Sequence, residues 1–173
     1  MANQISNMAA VDPHASLAED VEIGPFCVIG PEVTIGRGTR LLNNVTVMGR
    51  VTIGEDNLLY PGAVIGGEAQ DLSFRGGDTQ VVIGDGNVFR ESVTVNRGTD
   101  KELGVTTIGN DCYLMACSHV AHDCQVGDRV TIANGTLLAG HVRIHHHAIL
   151  SGNLGVHQYT TIGSYSFVSG LSR

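Results

Sequence analysis

Residues 108–161 read, in groups of six, IGNDCY LMACSH VAHDCQ VGDRVT IANGTL LAGHVR IHHHAI LSGNLG VHQYTT. Each group opens on an aliphatic residue: Ile108, Leu114, Val120, Val126, Ile132, Leu138, Ile144, Leu150 and Val156. The second residue is often glycine, as at Gly109 and Gly127. The fifth is small or β-branched, as at Cys112, Ser118 and Cys124. Downstream the frame continues through Ile162 and Val168. Upstream it holds from Val11 through Leu17, Ile23, Ile29, Ile35, Leu41, Val47, Ile53 and Leu59 to Ile65. It resumes at Ile83, Phe89 and Val95 after an interruption near 67–82. A second interruption near 97–107 shifts its phase by one residue.

A period of six matches neither helix nor simple alternating strand, and glycine at regular spacing is costly inside a helix. Six-residue units are the signature of a parallel β-helix. Each short strand sends one large aliphatic residue inward, and each tight corner accepts only a small inward one. The glycines suit strained corner torsions. Three units make a triangular coil of eighteen residues, and coils stack at the ~4.8 Å strand spacing. The chain therefore reads as all-β: one parallel β-helix domain over residues 1–173, of about eight coils. The two interruptions are loops thrown out of the coil, and long loops in a regular scaffold are more often functional than idle.

Composition narrows the function. The 173 residues include 23 Gly, 42% apolar and 16% charged residues, which excludes a disordered chain. The net charge of −7, with no basic run, argues against nucleic acid or an anionic membrane as partner. No apolar stretch approaches the ~18 residues of a membrane span, and the N-terminus lacks a signal-peptide pattern. Cys27, Cys112, Cys117 and Cys124 form no C-x-x-C pair. Three of them fall on the small inward position, as core thiols of a cytoplasmic protein would.

The repeat also locates the eight histidines. The units at 120, 138 and 156 lie one above another and carry His122, His141 and His157, with His119 ending the unit before. Four imidazoles thus gather along one edge within ~10 Å. Asp123 follows His122 and can orient its ring, as in a general-base pair. Eighteen residues after His122 stands Gly140, which predicts a notch where a substrate meets the imidazole and a free backbone N–H. His145, His146 and His147 fall on another face.

The stretches IGDGNVFRESVTVNRGT (83–99), HVAHDCQVGDRVTIANGTLLAGHV (119–142) and GVHQYTTIG (155–163), with QDL at Gln70–Leu72, resemble the acyl-[acyl-carrier-protein]–UDP-N-acetylglucosamine O-acyltransferase family, which begins lipid A synthesis. The resemblance covers the whole chain. It implies a left-handed β-helix, assembled as a homotrimer with sites in clefts between subunits. It implies His122 as catalytic base, Asp123 as its supporting carboxylate and Gly140 as oxyanion donor. Gln70, Asp71, His119, His141, His157 and Gln158 match positions that hold the UDP-sugar. Gly170 matches a residue that sets acyl-chain length. Acyl carrier protein would supply a 3-hydroxyacyl chain to the glucosamine 3-hydroxyl, with no cofactor and no metal. Hexapeptide-repeat carbonic anhydrases bind zinc through three histidines. Here His141 and His146 have the five-residue spacing of one ligand pair, but Val105 and Gln158 stand where a third ligand is needed two coils away.

Two departures are visible. Ser73 occupies a position where the family commonly has lysine, and Arg75 is the nearest substitute. The family also continues past the position of Arg173 into further coils and a C-terminal helical domain, which this chain is expected to lack. Two alternatives remain beside O-acyl transfer: N-acylation of a UDP-amino-sugar, and a catalytically silent trimeric β-helix.

Overall fold

A computed structural model describes residues 2–172, and among these it contains twenty-five short strands and no helix. The strands form three parallel sheets, one of nine strands and two of eight, so the chain winds through slightly more than eight coils of a left-handed β-helix. Within the regular coils a residue pairs with the one eighteen positions on, as Gln4 does with Glu22 and Tyr113 with Thr131. The inward aliphatic and aromatic residues Ile29, Leu41, Leu59, Phe89, Leu114, Ile132 and Leu138 are among the largest fully buried side chains. Burying such a side chain stabilises the fold by about 1.5–3 kcal/mol, so the period of six is the period of the core.

The excursions appear as jumps in register. Leu58 pairs with Val88, thirty residues away, and Val88 with Tyr113, twenty-five away. Both excursions are shorter than the sequence suggests, spanning 68–79 and 97–104. The reason is that the strands Gln80–Ile83 and Val105–Ile108 begin early. Val81, Val82, Thr106 and Thr107 are β-branched and continue the ladder begun by Arg50–Ile53.

The corner torsions also differ from expectation. The glycines that follow the aliphatic residue are needed for space: a Cβ on Gly36 would lie 2.4 Å from the Gly54 carbonyl oxygen of the next coil. The left-handed backbone falls two residues later, at the fourth position of the unit. There Asp111, Cys117, Asp123, Arg129, His141, His147, Asn153, Tyr159 and Tyr165 all have φ between 54° and 63°. Stacking holds these residues in a region that costs a non-glycine residue roughly 1–2 kcal/mol.

Cys27, Cys112 and Cys124 are buried and free, as their inward positions require. Burial pushes the Cys112 thiol up to about 11 and that of Cys124 up to about 12, which leaves both unreactive.

Candidate active site

Three consecutive coils place the strands His119–Val120, Leu137–Leu138 and Gly155–Val156 side by side on one sheet. At their C-terminal corner lies an open groove of about 540 Å³. Gln70, from the first excursion, joins His119, His122, Gly140, His157 and Gln158 in lining it. Six of the residues singled out in the sequence therefore meet in one place.

His122 and Asp123 form its centre. His122 Nδ1 lies 2.9 Å from Asp123 Oδ2, and the two side chains are 10% and 2% exposed. A carboxylate so buried needs donors. Thr99 supplies them: its backbone N–H donates to both carboxylate oxygens at 3.0 and 3.1 Å, and its hydroxyl donates to Oδ2 at 2.6 Å. The Asp123 backbone N–H donates in turn to Thr106 Oγ1 at 2.9 Å. Asp123 is thus fixed from the second excursion and the strand that follows it. With Nδ1 on Asp123, His122 keeps Nε2 for the groove, where it can take a proton from a bound hydroxyl.

Gly140 has a partly different reason than the sequence suggests. The expected notch is filled by the imidazole itself: a Cβ on Gly140 would sit 2.4 Å from His122 Cε1 and 2.6 Å from Nε2. Only glycine lets the ring lie flat against the next coil. Among the described residues the Gly140 N–H has no acceptor within the chain, and Gly140 packs against the His122 ring. A proton acceptor and a backbone donor side by side are what acyl transfer requires.

The other predicted residues divide. His119 accepts or donates at Thr94 Oγ1, 2.7 Å away, and burial, with His122 nearby, lowers its pKa. His157 is exposed, its Nδ1 3.2 Å from the Gln158 carbonyl. His141 lies behind the groove wall, 5% exposed, edge-on to His122 at 5.0 Å between centroids and stacked on Tyr159 at 4.5 Å. Asp71 is held by Lys101 of the other excursion and by Ser73, and the Lys101 hydrogen bond is the main cause of its strongly lowered pKa. Arg75 turns onto its own loop, donating to the carbonyls of Leu72 and Phe74. The cation beside Q-D-L is therefore Lys101. Gly170 stacks on Gly152 at another corner, outside the groove of one chain.

His122, Asp123 and His141 present ligand atoms within 4.8 Å of one another, a geometry compatible with a metal. The donor set argues for an acid–base pair instead. Both Asp123 oxygens already accept from Thr99, and a cation would have to displace these bonds.

Sequence reasoning misses Thr99, Thr106, Glu102 and Tyr159. Thr99 ends the quoted R-G-T, so a signal for it is present there. Glu102 sits in an aperiodic loop and carries no comparable signal.

Comparison with known proteins finds the same repeat and the same fold. A family model described as bacterial transferase hexapeptide (six repeats) matches residues 32–67 and 106–140. An acyl-[acyl-carrier-protein]–UDP-N-acetylglucosamine O-acyltransferase of Syntrophobacter fumaroxidans is 49% identical over 167 residues, covering 96% of this chain and 65% of the relative. The crystal structure of the Francisella novicida UDP-N-acetylglucosamine acyltransferase superposes with a TM-score of 0.96 at 43% identity, over 98% of this chain and 62% of that one. Another UDP-N-acetylglucosamine acyltransferase structure gives 0.85 at 33% identity, over 97% of this chain and 71% of that one. The chain spans about half to two thirds of the length of the curated relatives it matches.

Proposed function

We propose that this chain, which belongs to the acyl-[acyl-carrier-protein]–UDP-N-acetylglucosamine O-acyltransferase family, moves a 3-hydroxyacyl group from acyl carrier protein to the glucosamine 3-hydroxyl of UDP-N-acetylglucosamine, the opening step of lipid A synthesis in the cytoplasm. The observation that carries the reading is that the His122 ring packs against Gly140, whose N–H is unpaired among the described residues, in one groove.

His122 Nε2 takes the proton of the 3-hydroxyl as its oxygen attacks the thioester carbonyl. Asp123 stabilises the imidazolium that forms, and the Gly140 N–H donates to the oxyanion. The C–S bond then breaks, and the imidazolium returns its proton to the departing thiolate sulfur. Thioester and hydroxyl suffice for this chemistry, so no cofactor enters. Gln70, Asp71, His119, His141, His157 and Gln158 hold or frame the UDP-sugar, although His141 and Asp71 do not line the groove of one chain.

The groove is open along one side in a single chain. Leu137, an apolar side chain that lines it, is 51% exposed. Both features support a homotrimer whose neighbouring copy closes the cleft. Gly170, remote from its own groove, can limit acyl length only in that arrangement. A side chain there would end an apolar channel in which each buried methylene is worth ~0.8 kcal/mol.

The test is acyl transfer to UDP-N-acetylglucosamine from carrier-bound 3-hydroxyacyl chains of several lengths, beside the 3-amino sugar analogue. Transfer to the hydroxyl form is expected, with long chains preferred and Gly170→Met shifting the preference shorter. Transfer to the amine alone, or a monomeric mass in solution, would overturn the reading.

A further inference from the structure

The second excursion touches three site residues through three of its own side chains. Thr99 holds Asp123 and Lys101 holds Asp71, each with a completed hydrogen bond. The third contact, Glu102 Oε1 to His141 Nδ1, stands at 3.5 Å. His141 Nδ1 is buried without a hydrogen-bond partner among the described residues, and the side chain as a whole is 4% exposed. A buried donor left unpaired is costly. The Glu102 side chain is 36% exposed and free to shorten the contact by about half an ångström, to the usual N–H···O length.

Four groups face His141. Glu102 stands at Nδ1, and Asp123 Oδ2 lies 3.9 Å from Nε2. His122 meets the ring edge-on, and Tyr159 stacks on its face. A neutral imidazole carries one N–H. On Nε2 it points at Asp123 and competes with His122 Nδ1 for the same oxygen. On Nδ1 it points at Glu102 and leaves Asp123 to His122.

Resting on the acyl-transfer reading above, we propose that Glu102 is a positioning residue: it accepts the His141 Nδ1–H, sets that tautomer, and so keeps Asp123 dedicated to His122. The chain then uses two carboxylate–histidine pairs back to back, one facing the groove and one supporting it. The supporting pair is completed by a loop side chain that the repeat does not specify.

Imidazole nitrogen-15 shifts of the whole, substrate-free protein test this directly, with His141 identified by the resonances lost in His141→Gln. The expected result is an Nδ1–H tautomer in the wild type, retained in Glu102→Gln, whose amide oxygen still accepts, and switched to Nε2–H in Glu102→Ala. An Nε2–H tautomer in the wild type, or no change in the alanine variant, would overturn the proposal. In turnover, Glu102→Ala should lower kcat about ten-fold, the lower end for losing a carboxylate that orients a histidine. KM for the sugar nucleotide should stay put, and Glu102→Gln should restore kcat. Unchanged kcat in the alanine variant would count against the role. A chain that transfers no acyl group would sink the functional reading while leaving the tautomer measurement intact.

Discussion

Two corners of this solenoid stack a histidine on a tyrosine in nearly the same way. His141 lies on Tyr159 at 4.5 Å and 8°, and His147 lies on Tyr165 at 4.6 Å and 6°. Both histidines have the same left-handed backbone, with φ of 63° and 62°. Yet the first is 5% exposed between two carboxylates, while the second is only half-buried and its tyrosine is 76% exposed. At the first corner the preceding units supply His122 and Asp123. At the second the same positions hold Asp128 and Arg129, and Asp128 is tied to His146 and Asn110 near the surface. The repeat thus builds the aromatic geometry twice. What separates the two corners is aperiodic: a buried acid, and a loop that folds over one and not the other.

The widest gap between the corners should be catalytic. In a transfer assay His122→Ala should lose the ~10²–10⁴-fold typical of a positioned base, while His147→Ala should stay within about two-fold of wild type. Equal losses at both corners would erase the contrast.

A smaller gap should show in stability. Thr99→Val keeps the backbone donor but removes a hydroxyl from a buried charged acceptor, worth about 1.5–3 kcal/mol, and should lower Tm by roughly 3–10 °C. Asp128→Asn, whose side chain is 41% exposed, should cost no more than about 0.5 kcal/mol. A Tm for Thr99→Val no lower than that of Asp128→Asn would show that the loop does not anchor Asp123.

The smallest effect is the dependence of stability on pH. Burial, then His122, lowers the His119 pKa below its ordinary value near 6.5. The unfolded chain therefore binds a proton more readily than the folded one. His119 contributes its stability above the ordinary imidazole range, and that stability is lost as pH falls through the depressed folded pKa. Replacing it with glutamine should flatten the acid limb of a Tm-against-pH curve, whereas replacing exposed His145 should not. An identical acid limb in both variants would remove His119 from the account.

Much of this is legible from the residues. The hexads specify the three faces and the inward positions, and stacking by eighteen brings His119, His122, Gly140 and His157 to one edge. The adjacency of His122 and Asp123 needs no structure. The roles of Thr99, Glu102 and Lys101 do, because an excursion outside the ladder has no register to count along. Gly140 emerges from the sequence for a partly different reason, since counting places a Cα above His122 but does not say that the ring fills the space beneath it. The strained fourth position escapes counting likewise. Glycine at the second position marks close approach between coils, and the left-handed torsion is borne by side chains that ordinarily avoid it.

The eighteen-residue register has a kinetic side. Among the described residues no strand pairs with a neighbour through a tight hairpin, and each ladder contact closes a loop of at least eighteen residues. Folding of such a topology is slow, and it proceeds by adding coils to an existing stack. His122 and Gly140 belong to successive turns of that stack, while Thr99 and Thr106 lie one turn earlier. The His141 amide, bonded to the His122 carbonyl at 3.0 Å, closes the last of these junctions. Its protection from hydrogen exchange is therefore a clock for when the groove comes into being during folding, and for when local opening first takes it apart.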